Sequence, residues 1–124
     1  MQPNSLASKR ILLTHANLFM GPAHAEVLQE CGAEVIADED SLDDAGAPAA
    51  IVERAGRLDI LVAQLAIPAP STTVGEVSDL EWRSVFAALV DPLPRLVRAV
   101  LPQTKERRAG RVLVMGSASA LRGM

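Results

Sequence analysis

The stretch RILLTHANLFMGPAHAEVLQECGAEVIAD, residues 10–38, decides the fold. It starts with a short apolar run of strand length (RILLTH, 10–15), followed by apolar residues at helical spacing in GPAHAEVLQEC (21–31). Gly32 ends that helix, and a second apolar run, EVIAD (34–38), follows it. The order strand, helix, strand predicts a βαβ unit whose two strands lie parallel.

The rest of the chain continues this alternation. The sequence predicts a loop over 39–48, a helix from Ala49 to Ala55, a strand from Leu58 to Ala63, a helical stretch from Ser78 to Arg108 interrupted by Pro92 and Pro94, and a strand from Arg111 to Met115. Continuous apolar strands separated by helices are typical of a parallel sheet buried on both faces. We therefore predict an α/β fold with a doubly wound parallel sheet.

Composition limits the classes of protein that the chain can belong to. Among 124 residues, 49% are hydrophobic and 22% are charged, with a net charge of −3 and no long basic stretch, which excludes a nucleic-acid partner. No run of about 18 apolar residues or signal-peptide core occurs, so no membrane association is expected. The single cysteine, Cys31, rules out a disulfide framework or a cysteine metal site and suits a cytoplasmic location.

No internal repeat or linker divides the chain, so we expect residues 1–124 to form a single domain. The sequence stops at Met124, soon after the last predicted strand, and no further helix is predicted beyond that strand. We therefore expect these residues to be the N-terminal half of a longer chain.

Several segments together resemble the first half of the short-chain dehydrogenase/reductase superfamily. They are the turn at Thr14, CGAEVIAD (31–38), GRLDILVA (56–63) and AVLPQTKERRAGRVLVMGSAS (99–119), so the resemblance covers nearly all of residues 9–120. It implies a Rossmann-like fold. In that superfamily the first turn is rich in glycine, which lets a cofactor pyrophosphate approach the following helix N-terminus.

The first turn departs from the superfamily pattern at its two middle glycines. Thr14 and Gly21 match the outer positions, whereas His15 and Phe19 stand where glycine is usual. A side chain at these positions fills space that phosphate oxygens would need.

Three other cofactor-binding features are also missing. The N-N-A-G motif after the third strand reads Ala-Gln-Leu-Ala (63–66), and the helical asparagine of the proton relay is Leu89. No additional helix and strand fit between Asp38 and the helix at Ala49, so Asp38 is expected to be a remnant that caps or solvates the strand end. The four departures together imply that no nicotinamide cofactor is bound.

The pattern T-x4-F-x-G at Thr14, Phe19 and Gly21 is similar to the signature of the halohydrin dehalogenases, B-type members in particular. That resemblance implies reversible conversion of a vicinal haloalcohol to an epoxide, a halide ion and a proton, without a cofactor or metal. The implied partners are the haloalcohol or epoxide and the halide ion. It also implies a homo-oligomer, a dimer of dimers, paired through a helical face formed by Trp82, Phe86, Leu89, Leu93, Leu96 and Val100.

The resemblance implies a catalytic Ser-Tyr-Arg set. Ser117 occupies the serine position, which would hydrogen-bond the substrate oxygen. The base would be a tyrosine whose phenol pKa is lowered by the arginine, but the chain has no tyrosine, and both residues are expected beyond Met124. These residues alone are therefore not expected to abstract the proton in the family's manner.

Other residues are candidates for a halide and substrate pocket, each with a structural alternative. Phe19 would line the halide cavity, or else plug the turn against the sheet. Thr14 would contact substrate, or else hydrogen-bond its own backbone. Ser119 would border the substrate from an extended segment, or else bond within the loop. The loop after the third strand would form an apolar substrate wall, or only a fixed turn, through Pro68, Ala69 and Pro70.

Two further possibilities concern the histidines and the overall function. His15 and His24 are expected to hydrogen-bond at helix termini rather than to act as acid and base. A diverged NAD(P)-dependent oxidoreductase stays open as an alternative, as does a non-catalytic Rossmann-like interaction subunit.

Overall fold

The computed structural model describes residues 4–122. Its elements are β1 (Arg10–Leu13), α1 (Gly21–Glu30), β2 (Glu34–Ala37), α2 (Ala47–Ala55), β3 (Ile60–Ala63), α3 (Asp79–Leu89), α4 (Pro92–Arg107), β4 (Arg111–Val114) and a 3-10 turn (Ala118–Ala120). The expectation about the end of the chain at Met124 lies outside the described residues.

The four strands form one sheet in the order β2-β1-β3-β4, and every pair is parallel. Leu12 lies between Ile36 of β2 and Leu61 of β3. The predicted α/β, Rossmann-like parallel sheet is thus confirmed. Since β2 and β3 lie on opposite sides of β1, the strand order reverses between β1 and β3, and the carboxyl ends of these strands flank a crevice of the kind that holds ligands in such sheets.

A hydrophobic core lies on each face of the sheet, because successive side chains of a strand point to opposite faces. On one face Leu12 and Leu61 pack with residues of α2 and α4, including Ile51 and Leu96. On the other face Ile11, Leu13 and Val62 pack with Ala16, Ala25 and Leu28. The buried residues of β1 and β3 hold the crevice at a fixed place on the sheet.

Local chemistry explains where several elements begin. Pro48 occupies the first turn of α2, where its fixed φ and missing N–H are tolerated, so the helix begins at Ala47 rather than at the predicted Ala49. The Ser78 side chain caps α3 by accepting a hydrogen bond of 3.1 Å from the Glu81 N–H. Leu58 donates its N–H to the side chain of Gln103 rather than to a neighbouring strand, so β3 begins later than predicted.

Burial of every strand on both faces was expected, and within residues 4–122 this is wrong for both edge strands: no residue of β2 is buried, and every residue of β4 is exposed. Val112, Leu113 and Val114 are 40 to 53% exposed. The reason is that β4 is an edge strand and α4, which packs mainly on α2, leaves it uncovered in the described part of the chain. None of the helices in residues 4–122 has the length and apolar character needed to cross a membrane.

Candidate functional site

Two loops meet at the reversal of strand order. One is the turn of residues 14–20 between β1 and α1, and the other follows β3 over residues 64–70. Both leave the carboxyl ends of adjacent strands, so their backbones lie side by side in the crevice.

The turn after β1 keeps a conformation that usually requires glycine. His15 has φ of 46° and Phe19 has φ of 50°, both in the left-handed region. Each residue carries a side chain there at a cost of about 1 kcal/mol. These are the two positions at which the superfamily pattern has glycine. Gly21 is required sterically, since a Cβ at this position would come within 2.3 Å of the Ala16 carbonyl oxygen.

A hydrogen-bond network fastens this turn to the loop after β3. The Thr14 hydroxyl donates to the Gln64 carbonyl oxygen at 2.7 Å, and Gln64 Nε2 donates to the carbonyl oxygens of His15 at 2.9 Å and Leu18 at 2.8 Å. The Ala66 N–H donates to His15 Nδ1 at 2.9 Å. Buried polar groups need such partners, so the network fixes the shape of the crevice.

The network corrects the expected bonding of Thr14 and His15. Thr14 was expected to bond its own backbone, but it is fully buried and bonds the neighbouring loop at Gln64. His15 was expected to bond at a helix terminus, yet its ring accepts from Ala66 in that loop. Tertiary contact between the two loops, which local sequence does not reveal, is the reason in both cases.

His15 is held in its neutral form. The ring is 5% exposed, and burial lowers the pKa of His15, although the nearby charges of Asp43 and Asp38 oppose the shift. The bond from the Ala66 N–H requires the lone pair of Nδ1, which a protonated ring lacks. The remaining ring proton therefore sits on Nε2.

A cavity of about 300 Å³ lies beside the network. It is mostly apolar, and its polar side chains are His24, Gln64 and Ser117. The other lining residues are Phe19, Met20, Leu65, Ala66, Ile67, Leu89, Met115 and Gly116. An apolar cavity with a few polar groups is the usual form of a small-molecule site.

Phe19, the candidate for the halide cavity, and Ser117, the candidate catalytic serine, both border this cavity. The Phe19 side chain is 73% exposed, so the alternative that it plugs the turn against the sheet is wrong.

Ser117 and Ser119 hydrogen-bond each other, with their hydroxyl oxygens 2.7 Å apart. The expectation of an extended segment is wrong, because Ser119 lies in the 3-10 turn that Ser117 caps. Ser119 is not among the residues that line the cavity, whereas Ser117 is.

The loop residues Pro68, Ala69 and Pro70 do not form one wall. Pro68 borders a different cavity of about 230 Å³ beside His15 and Asp43, and Pro70 borders a third of about 360 Å³. Ala69 lines none of these three cavities. Ile67 rather than either proline lines the cavity with Ser117.

His24 and Gln64 border the cavity although sequence reasoning gave neither a site role. The Nδ1 atom of His24 is buried and has no hydrogen-bond partner in the described part of the chain. Gln64 appeared only as a departure from the N-N-A-G motif. The sequence signal that could have identified Gln64 is its position as a polar residue directly after a buried strand, where sheets of this kind bind ligands.

The Asp38 carboxylate is occupied by groups of this chain. One oxygen accepts the Asp40 N–H at 2.9 Å, and the other accepts from Arg54 at 2.7 Å. This agrees with the expected role at the strand end, and it leaves the carboxylate committed to internal partners. No group of three potential metal ligands occurs among residues 4–122.

The helical face expected to pair between subunits is divided between core and surface. Leu96 and Val100 of α4 are buried within the domain, while Trp82 and Phe86 of α3 are 56% and 40% exposed, with ring centroids 5.2 Å apart. The break between α3 and α4 at residues 90–91 ends the common helical face, so the expectation of one packed face is wrong.

Solved structures with this fold include enzymes of more than one kind. A "Dehalogenation enzyme" is 29% identical, with a TM-score of 0.83 over 96% of this chain and 58% of its own. The crystal structure of gox2181 is 22% identical, with a TM-score of 0.86 over 98% of this chain and 58% of its own. The crystal structure of an NADH-dependent reductase A1-R' responsible for alginate metabolism is 17% identical, with a TM-score of 0.78 over 98% of this chain and 63% of its own. At these identities the two structures show the fold alone. The chain thus spans about three fifths of the length of these structures.

The comparison with curated proteins gives no match. The family described as short chain dehydrogenase matches residues 22–124, from α1 to the end of the sequence. This match covers most of the chain and includes the parallel sheet from β2 onward, so the chain belongs to the short chain dehydrogenase family.

Proposed function

We propose that this chain is part of a halohydrin dehalogenase, which converts vicinal haloalcohols to epoxides reversibly and without a nicotinamide cofactor. The observation that carries the proposal is the position of Phe19, whose ring replaces a glycine of the phosphate-binding turn and borders the same cavity as Ser117. The 29% identity to a dehalogenation enzyme supports it.

In the proposed reaction the substrate oxygen attacks the neighbouring carbon, the carbon–halogen bond breaks, and the halide leaves with the bonding electrons. Ser117 would hydrogen-bond the attacking oxygen, whose proton passes to a base outside the described residues, proposed to be a tyrosine paired with an arginine. The electropositive edge of Phe19 would face the halide, and the apolar walls Ile67, Leu89 and Met115 would exclude water around it.

The internal hydrogen bonds of the crevice support a site without a dinucleotide. Arg54 occupies the Asp38 carboxylate, which would hold a ribose hydroxyl in a reductase. The side chains of His15 and Phe19 start at the two positions where phosphate would approach the backbone.

One observation favours the alternative of a diverged NAD(P)-dependent oxidoreductase. The Phe19 ring is 73% exposed, so little packing opposes its movement away from α1. A titration with NADH followed by nicotinamide fluorescence separates the two functions, because the dehalogenase should show no change and should bind bromide or azide instead.

Cellular location and assembly belong to the same proposal. We expect a cytoplasmic homo-oligomer, a dimer of dimers, whose ligands are a small haloalcohol or epoxide and a halide ion. An interaction subunit without catalysis would form the oligomer but release no halide.

The test is bromide release from a small bromohydrin by the full-length protein. We expect Ser117→Ala to abolish most of the release, and Ser71→Ala, an exposed serine in the loop before α3, to have no effect. Release that survives Ser117→Ala removes this serine from the mechanism. Absence of release by the wild type, together with tight NADH binding, refutes the proposed function.

A further inference from the structure

His24 has a ring nitrogen that pairs with no other described group. Its Nδ1 atom is buried and has no hydrogen-bond partner within residues 4–122, and the side chain borders the cavity shared by Phe19 and Ser117. A buried polar atom without a partner carries a desolvation cost, which a ligand that pairs with it removes. No hydrogen bond of Nδ1 is lost when the ring turns this atom toward such a ligand.

The other two polar side chains of this cavity already have partners. Gln64 Nε2 donates to two backbone carbonyl oxygens of the turn after β1. The Ser117 hydroxyl hydrogen-bonds that of Ser119, and in the proposed reaction it holds the substrate oxygen. His24 is therefore the polar side chain of the described lining that remains available to a departing halide.

The electrostatic surroundings of His24 favour an anion. The described lining of the cavity contains no Asp or Glu that would repel a halide and no Lys or Arg that would compete for it. His24 lies in the first turn of α1, which holds no acidic residue and whose N-terminal end carries partial positive charge. A halide loses hydration in an apolar cavity, so an N–H donor there has a large effect on its affinity.

We infer that His24 is a halide-binding residue that determines which halide the proposed site prefers. The inference rests on the proposed function. When the carbon–halogen bond breaks, a ring N–H of His24 donates a hydrogen bond to the departing halide, and no proton is transferred. Chloride accepts a stronger hydrogen bond than iodide because its charge is concentrated in a smaller ion. The donor therefore raises the affinity for chloride more than the affinity for iodide.

The test measures the dissociation constants of chloride and iodide with the full-length protein, by calorimetry at constant ionic strength. His24→Phe keeps a planar ring but removes the donor. We expect chloride binding to weaken by about tenfold and iodide binding by less than about threefold. The ratio of the two constants is the decisive quantity, because general damage to the cavity would weaken both ions alike. An unchanged ratio in His24→Phe overturns the inference.

Two further variants separate the donor from the shape of the side chain. His24→Asn places an amide N–H close to the position of Nδ1, so we expect it to restore most of the chloride affinity. Gln29→Phe introduces the same ring at an exposed position of α1 and should leave both constants unchanged. Chloride binding that is as weak in His24→Asn as in His24→Phe, or that weakens equally in Gln29→Phe, overturns the inference.

A measurement on the wild type decides the case in which His24→Phe does not fold. The ring nitrogen resonances of His24 should shift in NMR spectra during titration with chloride. The control is His15, whose ring borders a different cavity and should not respond. Absence of a shift for His24, or equal shifts for the two histidines, overturns the inference.

Bromide release from a bromohydrin tests the proposed function separately. Halide binding that depends on His24 supports the inference even where no bromide is released and the proposed function has failed. Bromide release together with halide constants that do not depend on His24 overturns the inference and leaves dehalogenation intact. A wild type that binds neither chloride nor iodide also overturns it.

Discussion

The side-chain amide of Gln64 donates a hydrogen bond of 2.8 Å to the carbonyl oxygen of Leu18, which fastens the end of β3 to the turn before α1. The bond gives a carbonyl oxygen of this turn a donor from a distant part of the chain and so helps to hold the shape of the turn.

Removing that partner should destabilise the protein. Gln64→Ala leaves two carbonyl groups, those of His15 and Leu18, without their donor, and we expect a loss of about 3 kcal/mol in the free energy of unfolding. Urea denaturation measures it. The control is Asn17→Ala in the same turn, an exposed residue expected to change stability by less than about 0.5 kcal/mol. Similar losses in both variants would contradict a fastening role for Gln64.

Stability should fall on mild acidification through His15. Because burial lowers the pKa of His15 in the folded protein, the unfolded chain binds the proton more readily. The contribution is fully present above the unfolded pKa of 6.5 and is lost as pH falls through the folded pKa. Thermal unfolding at pH 7.5 and at progressively lower pH measures this loss.

The matched variant for this pH effect is His15→Asn. Asparagine tolerates the left-handed backbone at this position but does not titrate. We expect its melting temperature to be nearly constant where that of the wild type declines. A decline of equal size in the variant would show that His15 does not cause the effect.

A second titration should appear at more acidic pH. The Arg10 N–H donates to Asp59 at 2.8 Å, and this bond, with the charges of Arg57 and Arg107, holds the pKa of Asp59 below its usual 3.8. Its stabilising contribution is present above pH 3.8 and is lost as pH falls through the lowered value. Asp59→Asn should unfold less steeply with acid than the wild type, measured by circular dichroism. An unchanged acid transition would contradict this role.

Substitutions of Phe19 should weaken halide binding without lowering the stability of the protein. Phe19→Gly relieves the left-handed backbone and removes an exposed ring, so we expect stability to stay the same or to rise by up to about 1 kcal/mol. Phe19→Ala keeps the strain and removes the ring. If the ring faces the halide, both variants should weaken bromide binding, measured by calorimetry. Bromide affinity unchanged in both would exclude Phe19 from the halide site.

The alternation of elements could be predicted from sequence because each signal is local. Apolar runs located β1 and β3, and prolines divided the long helical stretch into α3 and α4. Exposure of β4 could not be predicted, since its apolar composition is that of a covered strand. Burial depends on neighbours that only the assembled sheet reveals.

The site was less predictable than the fold, because its contacts join distant segments. Gln64 lies 46 residues from Leu18 in sequence. From sequence alone, Gln64 therefore indicates only the loss of the N-N-A-G motif. Its bond to the turn is seen only when the fold brings the two loops together. The 3-10 turn at Ser119 was also missed, because Ser117 caps it by a local hydrogen bond that the apolar pattern does not indicate.

The left-handed backbone at His15 and Phe19 has a consequence for protein engineering. The His15 ring belongs to the network that holds the crevice, whereas the exposed Phe19 ring makes no hydrogen bond in it, so the side chain at position 19 can be exchanged while the scaffold stays constant. The crevice can then be redesigned at this one position, with glycine to admit bulkier phosphorylated compounds and aromatic or polar residues to favour small anions.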